Sequence, residues 1–231
     1  MKLSIIIPVY NEEKTILEVI DKVKKTILKG ITKEIIVVDD FSTDNTKNLL
    51  SGIKDSSIKI FFHQKNQGKG AAIRTGLAHS TGDIILIQDA DLEYNPEEYP
   101  KLLKPIIEDN VMVVYGSRLE TIRKNIQSMY KLHYMGNIFL TVMTNMLYGA
   151  KITDMETGYK VFRKEVIEGI RLKARRFDFE PEITAKILKR GYKIKEVPIN
   201  FAARKFNEGK KITWKDGIKA MYYLIKYRFS D

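Results

Sequence analysis

Asp89-Ala90-Asp91 sets two carboxylates on either side of one small residue, and Glu93 follows two positions on. At a loop start such a pair can reach a hard divalent cation. Mg2+ or Mn2+ held by one or two carboxylates, with water and phosphate oxygens completing the shell, is a common arrangement. An ion of that kind neutralises a departing diphosphate. Asp39-Asp40 is a second acidic pair, and one of its carboxylates can accept a base N–H or bond a ribose hydroxyl. Asn66-Gln67-Gly68-Lys69-Gly70 is a Gly-rich turn with Arg74 one turn beyond it. That arrangement puts backbone N–H groups, Lys69 and Arg74 near phosphates. Arg204, Lys205, Lys210 and Lys211 form a basic loop around Gly209, which suits a phosphate clamp.

Other chemistries lack their residues. The turn is not a P-loop, because Ala71 stands where Ser or Thr would follow the lysine. It is not G-x-G-x-x-G either, since position 73 is Ile, which disfavours a dehydrogenase. His63, His79 and His133 are scattered without metal spacing and read as structural or surface residues. There is no cysteine, hence no thiolate site or thiol nucleophile. No G-x-S-x-G elbow supports serine catalysis.

The elements that position these residues alternate. Leu3–Val9, Glu34–Val38, Ile58–Phe62, Asp83–Ile87 and Val111–Tyr115 read as buried strands. The helices between them begin near Asn11, Ser42–Asn45, Lys69 and Pro96, and the first runs to about Lys29 with Gly30 ending it. Strands spaced by helices imply a mostly parallel sheet, an α/β fold with ligands beyond the carboxyl ends of the strands. Tyr10-Asn11-Glu12, Asp39-Asp40 and Gln88–Asp91 all fall at that edge. Further on, Glu120–Tyr148 reads as two helical stretches around Gly136, and Ile152–Phe162 and Lys193–Phe201 as strands. Asp178–Arg190 and Thr213–Phe229 read as helices, the last with a stripe of Trp214, Ile218, Met221, Tyr222, Ile225 and Phe229.

The chain has 231 residues, 44% hydrophobic and 30% charged, an ordinary globular composition for one domain or two merged halves. Its net charge is +11, and nearly all of it lies late: residues 1–170 hold 23 basic and 22 acidic residues, and 171–231 hold 17 and 7. An anionic partner at that end is implied. No stretch approaches the ~18–20 apolar residues of a membrane span. The most apolar segment, Ile138–Tyr148, fits a buried helix or one lying in a membrane interface.

Four segments resemble family 2 glycosyltransferases in order and spacing: Ser4-Ile-Ile-Ile-Pro-Val-Tyr-Asn-Glu12, Val38-Asp-Asp-Phe-Ser-Thr-Asp44, Asn66-Gln-Gly-Lys-Gly70 and Asp89-Ala-Asp-Leu-Glu-Tyr94. Gly116-Ser-Arg118, Asp154-Met-Glu-Thr-Gly-Tyr-Lys160 and Glu196-Val-Pro-Ile199 are similar to the polyprenyl-phosphate sugar synthase branch, the dolichyl-phosphate mannose synthase-like enzymes. Glu93 stands where those synthases often have Gln. The resemblance implies a GT-A fold, with residues 1–116 as the nucleotide-sugar half and 117–231 as the acceptor half. It implies that Pro8, Tyr10, Glu12 and Asp39 contact the donor nucleoside and that Lys69 and Arg74 lie near base or phosphates. Asp89, Ala90 and Asp91 would organise diphosphate and metal, with Asp91 the direct ligand and Glu93 a third. Arg118 and Arg204 would hold phosphate groups with Lys211 assisting, and Asp154 would act as base or acceptor-orienting carboxylate.

The implied reaction is inverting transfer from GDP-mannose or a UDP-hexose to a polyprenyl or dolichyl phosphate, with Mg2+ or Mn2+ as cofactor. The implied setting is peripheral, on the cytoplasmic face of a membrane, with no transmembrane helix and no nucleic acid partner. The alternatives are a family 2 enzyme acting on a soluble or protein-bound glycan hydroxyl, a nucleotidyltransferase, and a non-enzymatic basic module. The last leaves Asp89, Asp91 and Asp154 without purpose.

Overall fold

A computed structural model describes residues 1–124, 131–202 and 214–230. Seven strands are present among them: β1 (Lys2–Val9), β2 (Thr32–Asp39), β3 (Ile58–Phe62), β4 (Ile84–Ile87), β5 (Val113–Ser117), β6 (Lys160–Arg163) and β7 (Ile194–Pro198). They form one sheet in the order β3-β2-β1-β4-β6-β5-β7. All neighbours are parallel except β6, which runs antiparallel to both β4 and β5. The helices are α1 (Ile16–Lys25), α2 (Thr46–Ser51), α3 (Lys69–His79), α4 (Tyr99–Glu108), α5 (Leu119–Lys124), α6 (Lys131–Tyr148), α7 (Lys164–Ile167), α8 (Phe179–Lys189) and α9 (Trp214–Phe229).

Successive strand residues point to opposite faces, so β1 feeds two cores. Ile5 and Ile7 join Ile16, Val19 and Val23 of α1 and Tyr99, Leu102 and Ile106 of α4 on one face. Ile6 joins Ile73 of α3 and Phe179, Ile183 and Ile187 of α8 on the other. Each fully buried aliphatic side chain contributes about 1.5–3 kcal/mol of transfer free energy. A third, smaller core joins Leu140 of α6 to Ala220 and Leu224 of α9, over Ile152 and Met155.

Several local expectations are corrected. Asn11 does not cap α1. It takes φ 51°, and its side chain accepts the Thr43 N–H at 2.7 Å. The helix therefore starts five residues later and stops at Lys25, where the Lys33 ammonium reaching over from β2 binds the carbonyls of Val23, Lys24 and Thr26. Gly136 lies inside α6 rather than dividing two helices there. Only the last part of Ile152–Phe162 is strand, and the rest is loop. The stripe foreseen on α9 faces mostly outward: Ile218, Tyr222, Ile225 and Phe229 are exposed, while Ala220, Leu224 and Tyr227 are buried. The Trp214 side chain lies outside the described residues.

Candidate active site

Parallel strands β1, β2, β4 and β5 all end at one rim, and antiparallel β6 begins there. The chain ends at this rim surround a cleft of about 600 Å³. Pro8, Tyr10 and Glu12 line it after β1, Lys69 at the start of α3, Asp89, Ala90, Asp91 and Glu93 after β4, and Arg118 after β5.

The acidic loop after β4 is held from below. Gln88 is fully buried, and its amide donates to the Asp89 and Tyr94 carbonyls. Its oxygen accepts the Tyr99 hydroxyl at 2.7 Å and the Tyr159 hydroxyl at 2.8 Å. From the other side, the Thr15 hydroxyl donates to the Ala90 carbonyl at 2.7 Å. The loop is thus fixed at both its start and its middle. Gly158 packs so close that a Cβ there would lie 2.3 Å from Asp89 Oδ2, and its N–H donates to the Tyr94 hydroxyl.

Lys69 bridges two carboxylates, Asp89 at 2.8 Å and Glu180 of α8 at 3.0 Å. Burial opposes its charge, but the two carboxylates outweigh burial and raise its pKa well above the ordinary lysine value. The Gly-rich turn differs from expectation. Its Gln67 and Gly68 N–H groups donate to the Asp40 carboxylate, and the Ala71 N–H donates to the Arg175 carbonyl. Those amides are therefore engaged by protein. Gly68, at φ 93°, lies against Arg175, whose carbonyl oxygen would be 2.3 Å from a Cβ. Arg74 is turned from the cleft and donates to the Ala174 carbonyl at 2.8 Å.

The two acids after β2 also divide. Asp39 is buried and accepts both the N–H and the hydroxyl of Ser42, and it does not line the cleft. Asp40 does, and it also bonds His63 at 2.7 Å, which makes that histidine structural as expected.

Across the cleft, Arg118 and Asp154 form a bidentate pair. Arg118 Nε donates to Oδ2 at 2.7 Å and Nη2 to Oδ1 at 2.7 Å. The Arg118 backbone N–H and Asn137 Nδ2 add two more bonds to the same carboxylate. Burial alone would raise the Asp154 carboxyl, and the Arg118 charge and hydrogen bonds override it and hold it below the usual range. Asp154 is 1% exposed and is not among the residues that line the cleft, whereas its partner Arg118 is. The loop bearing it is ordered by Glu196 of β7, which accepts the Thr153 N–H at 2.7 Å and the Asp154 N–H at 2.9 Å.

Among the described residues no three carboxylates or histidines gather around a common point. Asp89, Asp91 and Glu93 all line the cleft without converging on one point. Lys69 occupies one Asp89 oxygen, and Leu92, at φ 61°, turns the chain between Asp91 and Glu93. Asp91, whose Oδ1 accepts the Glu93 N–H at 3.2 Å, and Asp89 are both hard oxygen donors at the cleft. That set suits an ion whose shell is finished by water and phosphate. Arg204 and Lys211 lie outside the described residues.

Two cleft residues escaped the sequence reading. Glu156 and Glu180 both line the cleft, and each has one buried carboxylate oxygen without a hydrogen-bond partner. Burial, reinforced by the Glu180 charge, pushes the Glu156 carboxyl up to about 8. The spacing of Asp154-Met-Glu156 repeats that of Asp89-Ala-Asp91, a signal that was available. Glu180 had none, because an acid in the first turn of a helix ordinarily complements the helix dipole.

Among known proteins, the chain is 33% identical over 217 residues to the dolichol-phosphate mannosyltransferase of Pyrococcus furiosus, covering 91% of this chain and 59% of that one. It is 30% identical over 240 residues to the UDP-N-acetylglucosamine–dolichyl-phosphate N-acetylglucosaminyltransferase of Methanococcus voltae, covering 96% and 94%. Glucosyl-3-phosphoglycerate synthase from Mycobacterium tuberculosis, solved with Mn2+, UDP and phosphoglyceric acid, superposes with a TM-score of 0.73 at 20% identity. That superposition covers 100% of this chain and 79% of the other, and the shared architecture is the GT-A fold. The model of the glycosyl transferase family 2 matches residues 4–171, from β1 through the loops bearing Asp89, Arg118 and Asp154. The chain belongs to that family and is a glycosyltransferase.

Proposed function

We propose that the protein transfers a glycosyl group, with inversion, from a nucleoside-diphosphate sugar to a polyprenyl (dolichyl) phosphate at a membrane surface. The observation that carries this reading is the saturated Asp154. Transfer to a hydroxyl calls for a general base beside the acceptor. The carboxylate expected in that role is occupied by four hydrogen bonds, three from Arg118 and one from Asn137. An acceptor that arrives already ionised, a phosphate monoester, needs no such base, and Arg118 offers it a fixed cation. The names of the P. furiosus and M. voltae relatives support the same acceptor class.

In this reading residues 1–116 take the donor and 117–231 the acceptor. Pro8, Tyr10 and Glu12 wall the nucleoside end, and Asp91 with Asp89 would hold Mg2+ or Mn2+ against the diphosphate. When bound, that ion would offset the charge that develops on the leaving group. A lipid-phosphate oxygen attacks the anomeric carbon in line, the bond from that carbon to the diphosphate oxygen breaks, and the nucleoside diphosphate departs with the electron pair. Lys69, clamped between Asp89 and Glu180, keeps the acidic loop in place without losing its proton.

A prenyl acceptor requires access to lipid. No helix among the described residues is long and apolar enough to cross a membrane. Met135, Ile138, Phe139, Val142 and Met146 of α6, and Ile218, Tyr222, Ile225 and Phe229 of α9, are exposed. Such a face suits interfacial insertion. The test is a panel of GDP-mannose, UDP-glucose and UDP-N-acetylglucosamine with polyprenyl phosphate and Mg2+ or Mn2+, scored for labelled sugar in the lipid extract. One donor should label the lipid in a metal-dependent manner. Label found only on added soluble glycans would overturn the reading.

A further inference from the structure

A second cavity of about 480 Å³ lies outside the cleft, between the turn before α3, the segment before α8 and one face of α9. Its charged lining is Lys65, Arg175, Arg176, Lys219 and one acid, Asp178. The Asp178 carboxylate accepts the N–H groups of Arg175 at 3.4 Å and Arg176 at 2.7 Å. Among the described residues no carboxylate pairs with any of the four cations. Four positive groups against one acid leave the concavity with a net positive charge, which attracts an anion. Phe177 and Tyr223 supply the apolar walls.

The position of the cavity selects among anions. Lys219 and Tyr223 stand four residues apart and share one face of α9. Ile218, Tyr222, Ile225 and Phe229 follow the same helical spacing about 100° around the axis and are exposed. The basic groove therefore opens beside an exposed apolar stripe. A free phosphate would use the cations and leave that stripe in water. A lipid uses both, with its phosphate in the groove and its chains along the stripe.

We infer that the groove of Lys65, Arg175, Arg176 and Lys219 binds the phosphate headgroup of an anionic bilayer lipid, distinct from the prenyl acceptor, and so sets the orientation of the enzyme on the membrane. Asn66, Arg176 and Phe177 line both this groove and the catalytic cleft, so a headgroup bound there fixes the cleft relative to the bilayer. This inference rests on the membrane-surface reading above.

The test reverses two cations that belong only to the groove, Lys65→Glu with Lys219→Glu. Binding is measured by flotation with phosphatidylcholine vesicles, with and without phosphatidylglycerol, in the presence and absence of inorganic phosphate. The wild-type chain should prefer the anionic vesicles. The double substitution should weaken that preference by about tenfold or more, since each basic group near an anionic surface adds roughly 1 kcal/mol. Transfer to polyprenyl phosphate in detergent micelles should stay unchanged. An unaltered preference for anionic vesicles in the folded double variant overturns the inference. Binding of inorganic phosphate that the double variant loses, with no vesicle preference in either chain, overturns it in favour of a soluble anion. A wild-type dimer that ignores vesicles and is split by the double substitution overturns it in favour of a second copy. Failure of the wild type to glycosylate polyprenyl phosphate in micelles would strike the proposed function, while the groove is judged on the vesicles alone.

Discussion

Two loops on the rim of the cleft carry the same pattern, an acid, one other residue and a second acid, and they come to opposite ends. In Asp89-Ala-Asp91 the first carboxylate shares Lys69 with Glu180, and the second lies half-buried at the cleft. In Asp154-Met-Glu156 the first is sealed in a bidentate arginine pair, and the second is pushed up to about 8 by burial and the Glu180 charge. Spacing brings two acids to one place, whereas the fixed cations and the surrounding burial decide whether an acid faces the cleft, braces a buried cation or holds its proton.

The largest effect should come from the strut. Asp154→Ala leaves the Arg118 guanidinium buried and unpaired, which costs about 3–5 kcal/mol of stability. Denaturant melts should show it as a large drop in midpoint. A fall of less than about 1 kcal/mol would mean that Arg118 has another partner, and the contrast between the loops would fail.

Next comes the ligand. Asp91→Asn should lower sugar transfer by about a hundredfold or more, the scale of losing one preorganised electrostatic group. Its melting temperature should stay within about 2 °C of the parent. Near-normal turnover of this variant in EDTA would remove the metal from the reading and leave the two loops functionally alike.

The neutral acid predicts a pH signature. Burial, with the Glu180 charge, pushes the Glu156 carboxyl from its ordinary 4.5 up to about 8 in the folded chain. Between those values the folded state holds a proton that the unfolded chain has released, so stability falls as pH rises across that window. Glu156→Gln should flatten the decline, a change of about 1–2 kcal/mol between pH 5 and 8 for a half-buried group. Lys160, whose ammonium burial holds below its usual range, acts in the opposite sense and above that window. Parallel melting curves for parent and variant from pH 5 to 8 would show that Glu156 is ionised throughout.

The smallest effect on stability belongs to the outward helices. Met146 and Phe229 are each 81% exposed. Met146→Ser with Phe229→Ser should change stability by less than about 0.5 kcal/mol per site and still reduce salt-resistant binding to vesicles. Destabilisation well beyond that would identify these side chains as core.

The residues show why residues 1–116 were legible and the rest less so. β1 and β2 hold runs such as Leu3–Val9 that are apolar because both faces are buried, and their polar ends mark the rim. Nothing local announces that β6 inserts between β4 and β5, since that order depends on a long crossover through α5 and α6. The Arg118–Asp154 pair spans 36 positions and is formed only by that crossover. On α9 a helical period was evident, but two faces fit it. Ala220, Leu224 and Tyr227 are the covered one, a choice fixed by α6 and α8 rather than by the sequence of α9 itself.

The antiparallel course of β6 has one more consequence. The chain leaves the sheet at Ser117 and re-enters at Lys160 on the same rim, and Lys160 stands opposite both Ile87 and Tyr115. Everything between those two points is topologically a loop, however much helix it holds. It can lengthen, shorten or change its outer surface without shifting any strand from its neighbours. Its fixed obligations are Arg118 at the exit, Asn137 on the way, and Asp154, Glu156, Gly158 and Tyr159 at the return. A frame of this design can acquire a new outer surface by rewriting one excursion, while the acids on the loops after β2 and β4 stay where they are.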